Sequence, residues 1–239
     1  MICDSFISMV TIQSPIAEIL RDSPQSVGVF HRLGIDYCCG GKTPLNEACQ
    51  VRGIDASEVL REVLSVSDGE AFGNLHADLW STDFLISFIV ANHHSYLRTV
   101  LPLAIGQMTK VVSKHGERFL DAPAILELLV ELQTTLLAHL DDEEEVLFSP
   151  AISALTAEQI QSIVSTHEAE HEEVGRKLQR LRAITSDFTA PEGACTTHRS
   201  AYSSMKSFYE DTMQHVFLEN AVLFPQLVAK VKNTSTTHH

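Results

Sequence analysis

The chain has 239 residues, a length that fits one large domain or a small domain joined to a larger one. Hydrophobic residues make up 44% of it and charged residues 20%, which is the profile of a globular protein and excludes disordered, collagen-like and disulfide-dense chains. Because the formal net charge is -14 and no run of Lys and Arg occurs, we expect no binding of nucleic acid or of an acidic membrane surface.

Cysteine usage and the N-terminal residues indicate the compartment. The five cysteines are an odd and sparse set, which favours reduced thiols over a disulfide framework. The first residues lack the basic and apolar segments of a signal peptide. No apolar stretch approaches the roughly 20 residues needed to cross a bilayer. We therefore expect a cytoplasmic protein.

Signals for short helices fill residues 1–66. Strand-like alternation is nearly absent, so an all-α protein is predicted. Three times a capping hydroxyl precedes a proline suited to the first helical position: Ser14-Pro15, Ser23-Pro24 and Thr43-Pro44. Asp55 begins a capping box that ends at Glu58. We predict a small N-terminal helical domain over 1–66 and a linker over 67–80, which contains glycines and lacks periodicity.

Four long amphipathic segments follow the linker. They cover about 81–115, 122–148, 156–187 and 196–232. Gly116, Ser149-Pro150 and the stretch around Pro191 separate them, and Thr156 with Gln159 forms a capping box at the start of the third. Four long helices with short connections predict an antiparallel four-helix bundle over 81–232. Residues 233–239 are expected to form a tail.

One internal repeat lies within this predicted bundle. Residues 139–148 and 215–224 both read H-x-x-x-E-x-x-V-L-F, and proline follows each within two residues. These segments lie on the second and fourth helices. A histidine recurs at a matching separation on the first and third, as His94 and His171. The four helices together therefore offer four histidines and two glutamates.

The spacing within the repeat predicts a metal centre. Residues i and i+4 share one face of a helix, so His139 converges with Glu143 and His215 with Glu219. Two carboxylates that bridge a pair of ions, with imidazoles as the remaining ligands, leave no buried charge without a partner. Nitrogen and oxygen ligands without a thiolate suit iron or manganese, and we favour iron.

Two other interpretations of these histidines compete. A single H-x-x-x-E on a helix is most often a solvated ion pair, and only its repetition with matched histidines favours metal. Residues 167–171 read H-E-x-x-H, the pattern of zinc metalloproteases. The longer protease pattern requires glycine where Val174 stands. A protease would also leave the repeat unexplained, so we disfavour it.

Adjacent cysteines, Cys38 and Cys39, are the other unusual feature. They lie in Asp36-Tyr37-Cys38-Cys39-Gly40-Gly41-Lys42, where glycines leave the backbone open. An exposed pair suits a redox or iron-handing role. Two ordinary reduced thiols at a turn are the alternative, and both interpretations stand at this point.

Taken together, these motifs resemble the di-iron iron-sulfur cluster repair proteins, the repair of iron centres family. The resemblance covers nearly the whole chain and rests on residues 34–41, the paired repeat, Glu170-His171-Glu172-Glu173 and Ala194-Cys195-Thr196-Thr197. It implies an N-terminal cysteine domain and a hemerythrin-like bundle with two non-haem iron ions in an oxo- and carboxylate-bridged centre. The implied ligands are His94, His139, His171 and His215 as terminal ligands, with Glu143 and Glu219 as bridges. Cys38 and Cys39 match the family's reactive pair.

Two further histidines lie close to these positions. His93 precedes His94 and is the alternative ligand. We prefer His94 because it stands eight residues before Pro102, as the family's ligand does relative to its Leu-Pro. His167 is an extra histidine one turn before His171, and the resemblance assigns it no role.

The resemblance also implies a function, the repair of iron-sulfur clusters damaged by nitrosative or oxidative stress. We expect repair to proceed by supply of iron, with damaged iron-sulfur proteins as partners and nitric oxide or oxygen as small ligands. One alternative is reduction of nitric oxide to nitrous oxide, which requires an electron donor. Another is a non-enzymatic module that binds or senses oxygen or nitric oxide. Whether the chain is an enzyme depends on which hypothesis holds, and a homodimer is left open.

Overall fold

The computed structural model describes residues 10–23, 26–38, 40–66 and 77–235, and its regular elements are all helical. The predicted all-α class is therefore confirmed. The chain divides into two compact units, Met1–Trp80 and Ser81–His239. Most of the predicted linker and the last four residues of the predicted tail lie outside the described residues.

Short helices build the described part of the N-terminal unit. They are α1 (Ile16–Asp22), α2 (Val27–Leu33), α3 (Leu45–Arg52) and α4 (Ala56–Ser65). Asp55 caps α4 as predicted, because its carboxylate accepts hydrogen bonds from the backbone N–H groups of Ser57 and Glu58. Apolar side chains from several of these elements, including Ile19, Phe30 and Leu45, are fully buried and form the core of the unit.

The starts of α1 and α3 differ from the prediction. Neither helix has a side-chain cap, and each begins one residue after its proline. The two starts instead cap each other through the backbone. The N–H of Ile16 donates to the carbonyl of Thr43 at 3.1 Å, and the N–H of Leu45 donates to the carbonyl of Ser14 at 3.1 Å. Backbone carbonyls from a distant segment thus satisfy groups that hydroxyls were expected to satisfy.

Long helices build the second unit as the predicted bundle. The first bundle helix comprises α5 (Thr82–Phe88) and α6 (Ser95–His115), the second is α7 (Ala122–Asp142), the third is α8 (Ala157–Ile184), and the fourth comprises α9 (Thr196–Leu218) and α10 (Phe224–Ser235). Helix α6 packs against α7 and α9, and α8 packs against α7 and α10. The capping box at the start of α8 forms as predicted, with both reciprocal bonds between Thr156 and Gln159. Short connections make successive helices antiparallel.

Three of the four bundle helices contain a π-helical segment that the sequence did not predict. These segments are Ile89–His94, Glu143–Leu147 and Glu219–Leu223. A π turn holds one extra residue, so the side chains that follow it are rotated by about 100° relative to a regular α-helix. Such turns are frequent at functional sites, because they re-aim side chains without ending the helix.

The second bundle helix is unusually apolar. Its span Ala122–Leu147 is the one described helix that is long and apolar enough to cross a membrane by length and composition. In the bundle, Leu132, Leu136 and Leu140 are fully buried against neighbouring helices. The apolar face is therefore explained by packing, and this is a core helix.

Candidate metal centre

All six residues proposed as ligands lie together inside the bundle. None is more than 4% exposed. They come from all four bundle helices: His94 from the first, His139 and Glu143 from the second, His171 from the third, and His215 and Glu219 from the fourth. The structure therefore brings together residues that are far apart in the chain, and their binding of iron remains a prediction.

The donor atoms divide into two sets that share both glutamates. The first donor set is His94 and His215 with Glu143 and Glu219. The second donor set is His139 and His171 with the same two glutamates. Within each set, one donor atom per residue lies within 4.8 Å of every other. Two neighbouring sites with common carboxylates are thus present.

Glu143 turns one oxygen to each donor set. Its Oε1 lies 3.2 Å from Nε2 of His139 and 3.7 Å from Nε2 of His171. Its Oε2 lies 3.6 Å from Nε2 of His94 and 3.9 Å from Nε2 of His215. This is the arrangement of a carboxylate that bridges two cations.

Glu219, on the fourth bundle helix, also turns one oxygen to each donor set. Its Oε1 lies 2.9 Å from Nε2 of His215 and 3.8 Å from Nε2 of His94. Its Oε2 lies 3.2 Å from Nε2 of His171. Each of the two glutamates that the repeat aligns therefore faces both donor sets.

The π turns coincide with these donors. Glu143 and Glu219 each begin a π turn, and His94 ends the third. The N–H of Phe148 donates to the carbonyl of Glu143 at 2.7 Å, which closes the wide turn. The N–H of Phe224 donates to the carbonyl of Glu219 in the same way. The spacing shared by the two segments of the repeat thus coincides with a local backbone irregularity as well as with a pair of donors.

The phenylalanine that ends each repeat covers a histidine of the centre. Phe148 stacks on His94 with ring centroids 5.7 Å apart, and Phe224 stacks on His171 at 5.8 Å. The second pair is nearly parallel, with an interplanar angle of 3°. These contacts restrict ring rotation and exclude water, and they give the V-L-F tail a physical role.

The residue after each shared glutamate orients a histidine from another helix. Glu144 accepts a hydrogen bond from Nδ1 of His94 at 2.8 Å, and Asn220 Oδ1 lies 2.9 Å from Nδ1 of His171. Arg98 holds Glu144 in place through a contact of 3.0 Å. Such partners fix which ring nitrogen faces a metal. The sequence analysis did not identify these partners, because nothing in the repeat marks the residue after the glutamate.

The other two histidines differ in their outer partners. Nδ1 of His139 lies 2.7 Å from Glu170 Oε2, whereas Nδ1 of His215 has no hydrogen-bond partner among the described residues. The ring of His93 stacks on that of His215 at 5.9 Å and its Nδ1 lies 3.1 Å from Asp211 Oδ1. His93 therefore faces Asp211 and belongs to neither donor set, while its neighbour His94 belongs to the first.

Both shared carboxyls are ionised at neutral pH. Burial alone would raise the pKa of Glu143, but the neighbouring imidazoles, with His139 the strongest, outweigh it and lower the pKa to about 2. The pKa of Glu219 also lies well below its usual value, because contacts with His215 and His171 outweigh burial. Two negative charges are thus held in the interior.

The two carboxylates act in turn on the pKa values of the imidazoles around them. Burial alone would lower the pKa of His94, His139 and His171, but the two carboxylates raise all three. Burial lowers the pKa of His215, so this ring is neutral at pH 7. Cations placed between the donors would balance the two carboxylates and would compete with protons for the imidazoles.

The donor chemistry fits metal ions. Within the described residues, none of the four glutamate oxygens accepts a hydrogen bond of good geometry, although all are fully buried. Each donor set combines two imidazoles and two carboxylates, and no thiolate is among them. Such mixed nitrogen and oxygen sites suit iron, manganese or zinc. The buried His/Glu site is therefore suitable for cations.

His167 does not take part in a protease-like site. His171 faces the shared glutamates, whereas His167 lies 3.6 Å from Glu170 and 3.5 Å from Asp142. The donors of His167 group with those of His139 and Glu170. The H-E-x-x-H pattern thus has its two histidines directed to different groups.

Cys38 is placed within the N-terminal unit, and Cys39 lies outside the described residues. The side chain of Cys38 is buried, with 4% exposed. Its N–H donates to Asp36 Oδ1 at 3.1 Å, and its thiol lies 3.4 Å from the same oxygen. A Cβ at Gly40 would lie 2.9 Å from the carbonyl of Asp36, so the tight turn requires glycine there. The exposure expected of an iron-handing thiol is absent at Cys38 in this conformation.

Two known domain families match the chain. The hemerythrin HHE cation binding domain matches residues 85–227. A domain of unknown function, DUF542 or ScdA_N, matches residues 12–67. The first contains both donor sets, and the second contains the cysteine pair.

Curated relatives match along almost the full chain. Iron-sulfur cluster repair protein ScdA of Staphylococcus haemolyticus is 30% identical over 219 residues, which is 90% of this chain and 98% of that protein. Iron-sulfur cluster repair protein YtfE of Enterobacter sp. strain 638 is 31% identical over 218 residues, with 90% and 96% covered. The YtfE protein of Escherichia coli O8 is 30% identical over 217 residues, with the same coverage.

Proposed function

The chain belongs to the ScdA/YtfE family of iron-sulfur cluster repair proteins, as its motifs indicated. From this premise we propose that it holds two iron ions and supplies them to clusters damaged by nitrosative or oxidative stress. The observation that carries the proposal is the pair of donor sets that share Glu143 and Glu219. In this proposal iron is the cargo, and the damaged iron-sulfur protein is the acceptor.

The chain's own residues balance the charge of the cargo. Two carboxylates carry less charge than two divalent ions, so the loaded centre keeps a net positive charge. Glu144 and Glu170 lie next to Nδ1 of His94 and His139 and add negative charge at short range. These outer carboxylates also strengthen the imidazoles as ligands.

The same residues make release of iron feasible. In the metal-free protein the carboxylates raise the pKa of His94, His139 and His171. These histidines take up protons as iron leaves, so neither glutamate becomes an unpaired buried charge. An iron donor requires this property, because its empty state must stay folded to be reloaded.

The proposed site of action is the cytoplasm. Cys49 and Cys195 are free thiols, which suits a reducing compartment. Damaged iron-sulfur proteins of that compartment are the proposed acceptors.

Repair is tested with an iron-sulfur enzyme that nitric oxide has inactivated. Iron-loaded wild-type protein should restore its activity faster than an equal concentration of ferrous salt. Glu143→Gln should not, because both donor sets lose a charged donor. No recovery with the loaded wild type would refute the proposal.

The matched control is Glu145→Gln. Glu145 lies in the same π turn as Glu143, but its side chain is exposed. Both variants lose one negative charge from the same segment, so a difference between them reports the buried centre. Equal recovery with both variants would contradict the assignment of Glu143 as a bridge.

Reduction of nitric oxide is a second candidate function, and the number of protein donors in each metal site favours it. Each donor set supplies four protein donors, and bound iron would therefore offer open positions to a small ligand. Two nitric oxide molecules, two protons and two electrons, one drawn from each ferrous ion, give nitrous oxide and water. Anaerobic mixing of the diferrous protein with nitric oxide should then yield about one nitrous oxide per chain. A stable adduct without this gas would count against it.

A further inference from the structure

A pocket lies between the C-terminal end of α6 and the start of α9, remote from both donor sets. Its volume is about 370 Å³, within the range of roughly 300–1,000 Å³ that small-molecule sites occupy. Twenty residues separate Cys195, in its lining, from His215 on the same helix, a rise of about 30 Å. The other lining residues include Lys110, Ser113, Lys114 and His115 from α6 and Thr197 from α9.

Packing and a hydrogen bond hold the two walls of this pocket together. Helices α6 and α9 pack against each other, and Nε2 of Gln107 donates to Oγ of Ser200 at 2.9 Å. The rings of His115 and His198 both lie edge-on to the ring of Phe119, with centroids 6.4 and 4.6 Å away. The pocket is therefore a preformed part of the bundle.

Positive charge lines this pocket, in contrast to the chain as a whole. The formal net charge is -14, yet Lys110, Lys114 and His115 line one cavity. Neither lysine side chain forms an ion pair or a hydrogen bond with any residue that the structure describes. Arg118 is a further cation nearby, since its guanidinium packs against Gly193, two residues before Cys195. Lysines that have no carboxylate partner attract an anionic ligand to the cavity.

Cys195 gives the pocket a nucleophile. Its thiol is free and partly exposed, whereas the free thiols of Cys38 and Cys49 are buried. Cys195 is the N-cap residue of α9, but its side chain makes no capping hydrogen bond. Neither donor set includes it. Among the cysteines that the structure describes, Cys195 is therefore the one that a small molecule can reach.

A buried histidine beside the thiol has unused hydrogen-bonding groups. His198 follows Cys195 by three residues and so shares its side of α9. Its ring is 1% exposed, and neither ring nitrogen has a hydrogen-bond partner in the described part of the chain. Burial and then the proximity of His115 lower its pKa, so the ring lies within electrostatic range of the pocket wall. Buried nitrogens need a polar partner, and a ligand in the adjacent pocket offers one.

We propose that this pocket binds a small anionic disulfide and that Cys195 exchanges with it to form a mixed disulfide. The lysines attract the negative groups of the ligand, and the thiol reacts with its sulfur. An anion without sulfur would leave the thiol unused, and a neutral disulfide would leave the lysines unused. This modification does not depend on the proposed function, because Cys195 belongs to neither donor set.

The exchange conserves the number of disulfides. The Cys195 sulfur, as a thiolate, attacks one sulfur of the ligand, and a new S–S bond forms while the S–S bond of the ligand breaks. The other half of the ligand leaves as a thiolate and takes up the proton that Cys195 has lost. Cys195 is oxidised and the leaving half is reduced to a thiol, so no further oxidant is required.

Glutathione disulfide is the anionic probe for this site, and bis(2-hydroxyethyl) disulfide is the neutral probe. Full-length protein is incubated with each, its remaining thiols are blocked, and the tryptic peptide 183–199, whose only cysteine is Cys195, is followed by mass spectrometry. Both probes should modify this peptide in the wild type. The variant Lys110→Gln/Lys114→Gln should react with glutathione disulfide about tenfold more slowly at low ionic strength, and its rate with the neutral probe should change less than about twofold.

The double variant Lys177→Gln/Lys206→Gln is the matched control. These two lysines pair with Glu173 at 2.8 Å and with Glu210 at 3.8 Å, and neither lines the pocket. Both double variants lose two positive charges, so a difference between them reports the pocket. The control should react with both probes like the wild type.

Three results would overturn the proposal. One is the absence of a glutathione adduct on peptide 183–199 of the wild type. The second is equal slowing of the two probes in the pocket variant, and the third is equal slowing of glutathione disulfide in the pocket and control variants. If the adduct forms with the expected dependence on charge while cluster repair fails, the proposed function falls and this site stands.

Discussion

Replacement of His139 by leucine should remove about one of two bound iron ions. His139 belongs only to the second donor set, so the first set keeps all four of its donors. Loss of an outer-shell partner alone typically weakens metal binding 10–100-fold. Loss of a direct ligand should therefore weaken the second set by at least about 100-fold, or about 2.7 kcal/mol.

The fold should survive this replacement. Leu136 and Leu140, which neighbour His139 on the same helix, are fully buried and keep that helix packed in the bundle. Glu143 keeps contacts with the three remaining histidines, and Glu170 is 43% exposed and stays solvated. The change therefore tests metal binding with little disturbance of the bundle.

The assay is iron per chain after gel filtration, together with far-ultraviolet circular dichroism. His94→Leu should also leave about one iron, because it damages only the first donor set. Glu143→Gln should lower occupancy of both sets. If His139→Leu lost both ions while its helical signal remained wild-type, or lost neither, two sets with shared carboxylates would be the wrong description.

Three further predictions concern stability. Phe224→Ala should lower the free energy of unfolding by about 3–5 kcal/mol, because Phe224 is 1% exposed. Phe148→Ala should lower it less, because Phe148 is only half-buried. Equal losses of unfolding free energy in urea titrations of the two variants would contradict this prediction. Asp55→Ala should destabilise the N-terminal unit by about 1 kcal/mol through loss of the α4 cap, which faster hydrogen exchange in that helix would report. Burial, aided by the nearby His115, lowers the pKa of His198 below 6.5. The unfolded chain therefore binds a proton at this histidine more readily than the folded chain. As the pH falls below about 6.5, the free energy of unfolding should decrease by up to about 1.4 kcal/mol per pH unit. His198→Phe should reduce that slope, and an unchanged slope would exclude His198 as its source.

The sequence by itself determined what depends on neighbouring residues. Helical periodicity places residues i and i+4 on one face, so the pairing of His139 with Glu143 and of His215 with Glu219 could be predicted. The four long helices and the cap at Asp55 followed from equally local patterns. Internal repetition then extended the prediction to the other two helices, because a repeated helix pair repeats its inward-facing positions.

Only the tertiary structure decided which of two adjacent histidines belongs to the centre and which distant residues form hydrogen bonds with each other. His93 and His94 differ by about 100° around their helix, and the π turn that ends at His94 changes that orientation again. The backbone N–H groups at the starts of α1 and α3 donate hydrogen bonds to carbonyls that precede the other helix, and no local sequence pattern predicts this pairing. The contact of His139 with Glu170 depends on how α7 and α8 pack in the bundle. Packing fixes these contacts because it acts between residues that the chain order keeps far apart.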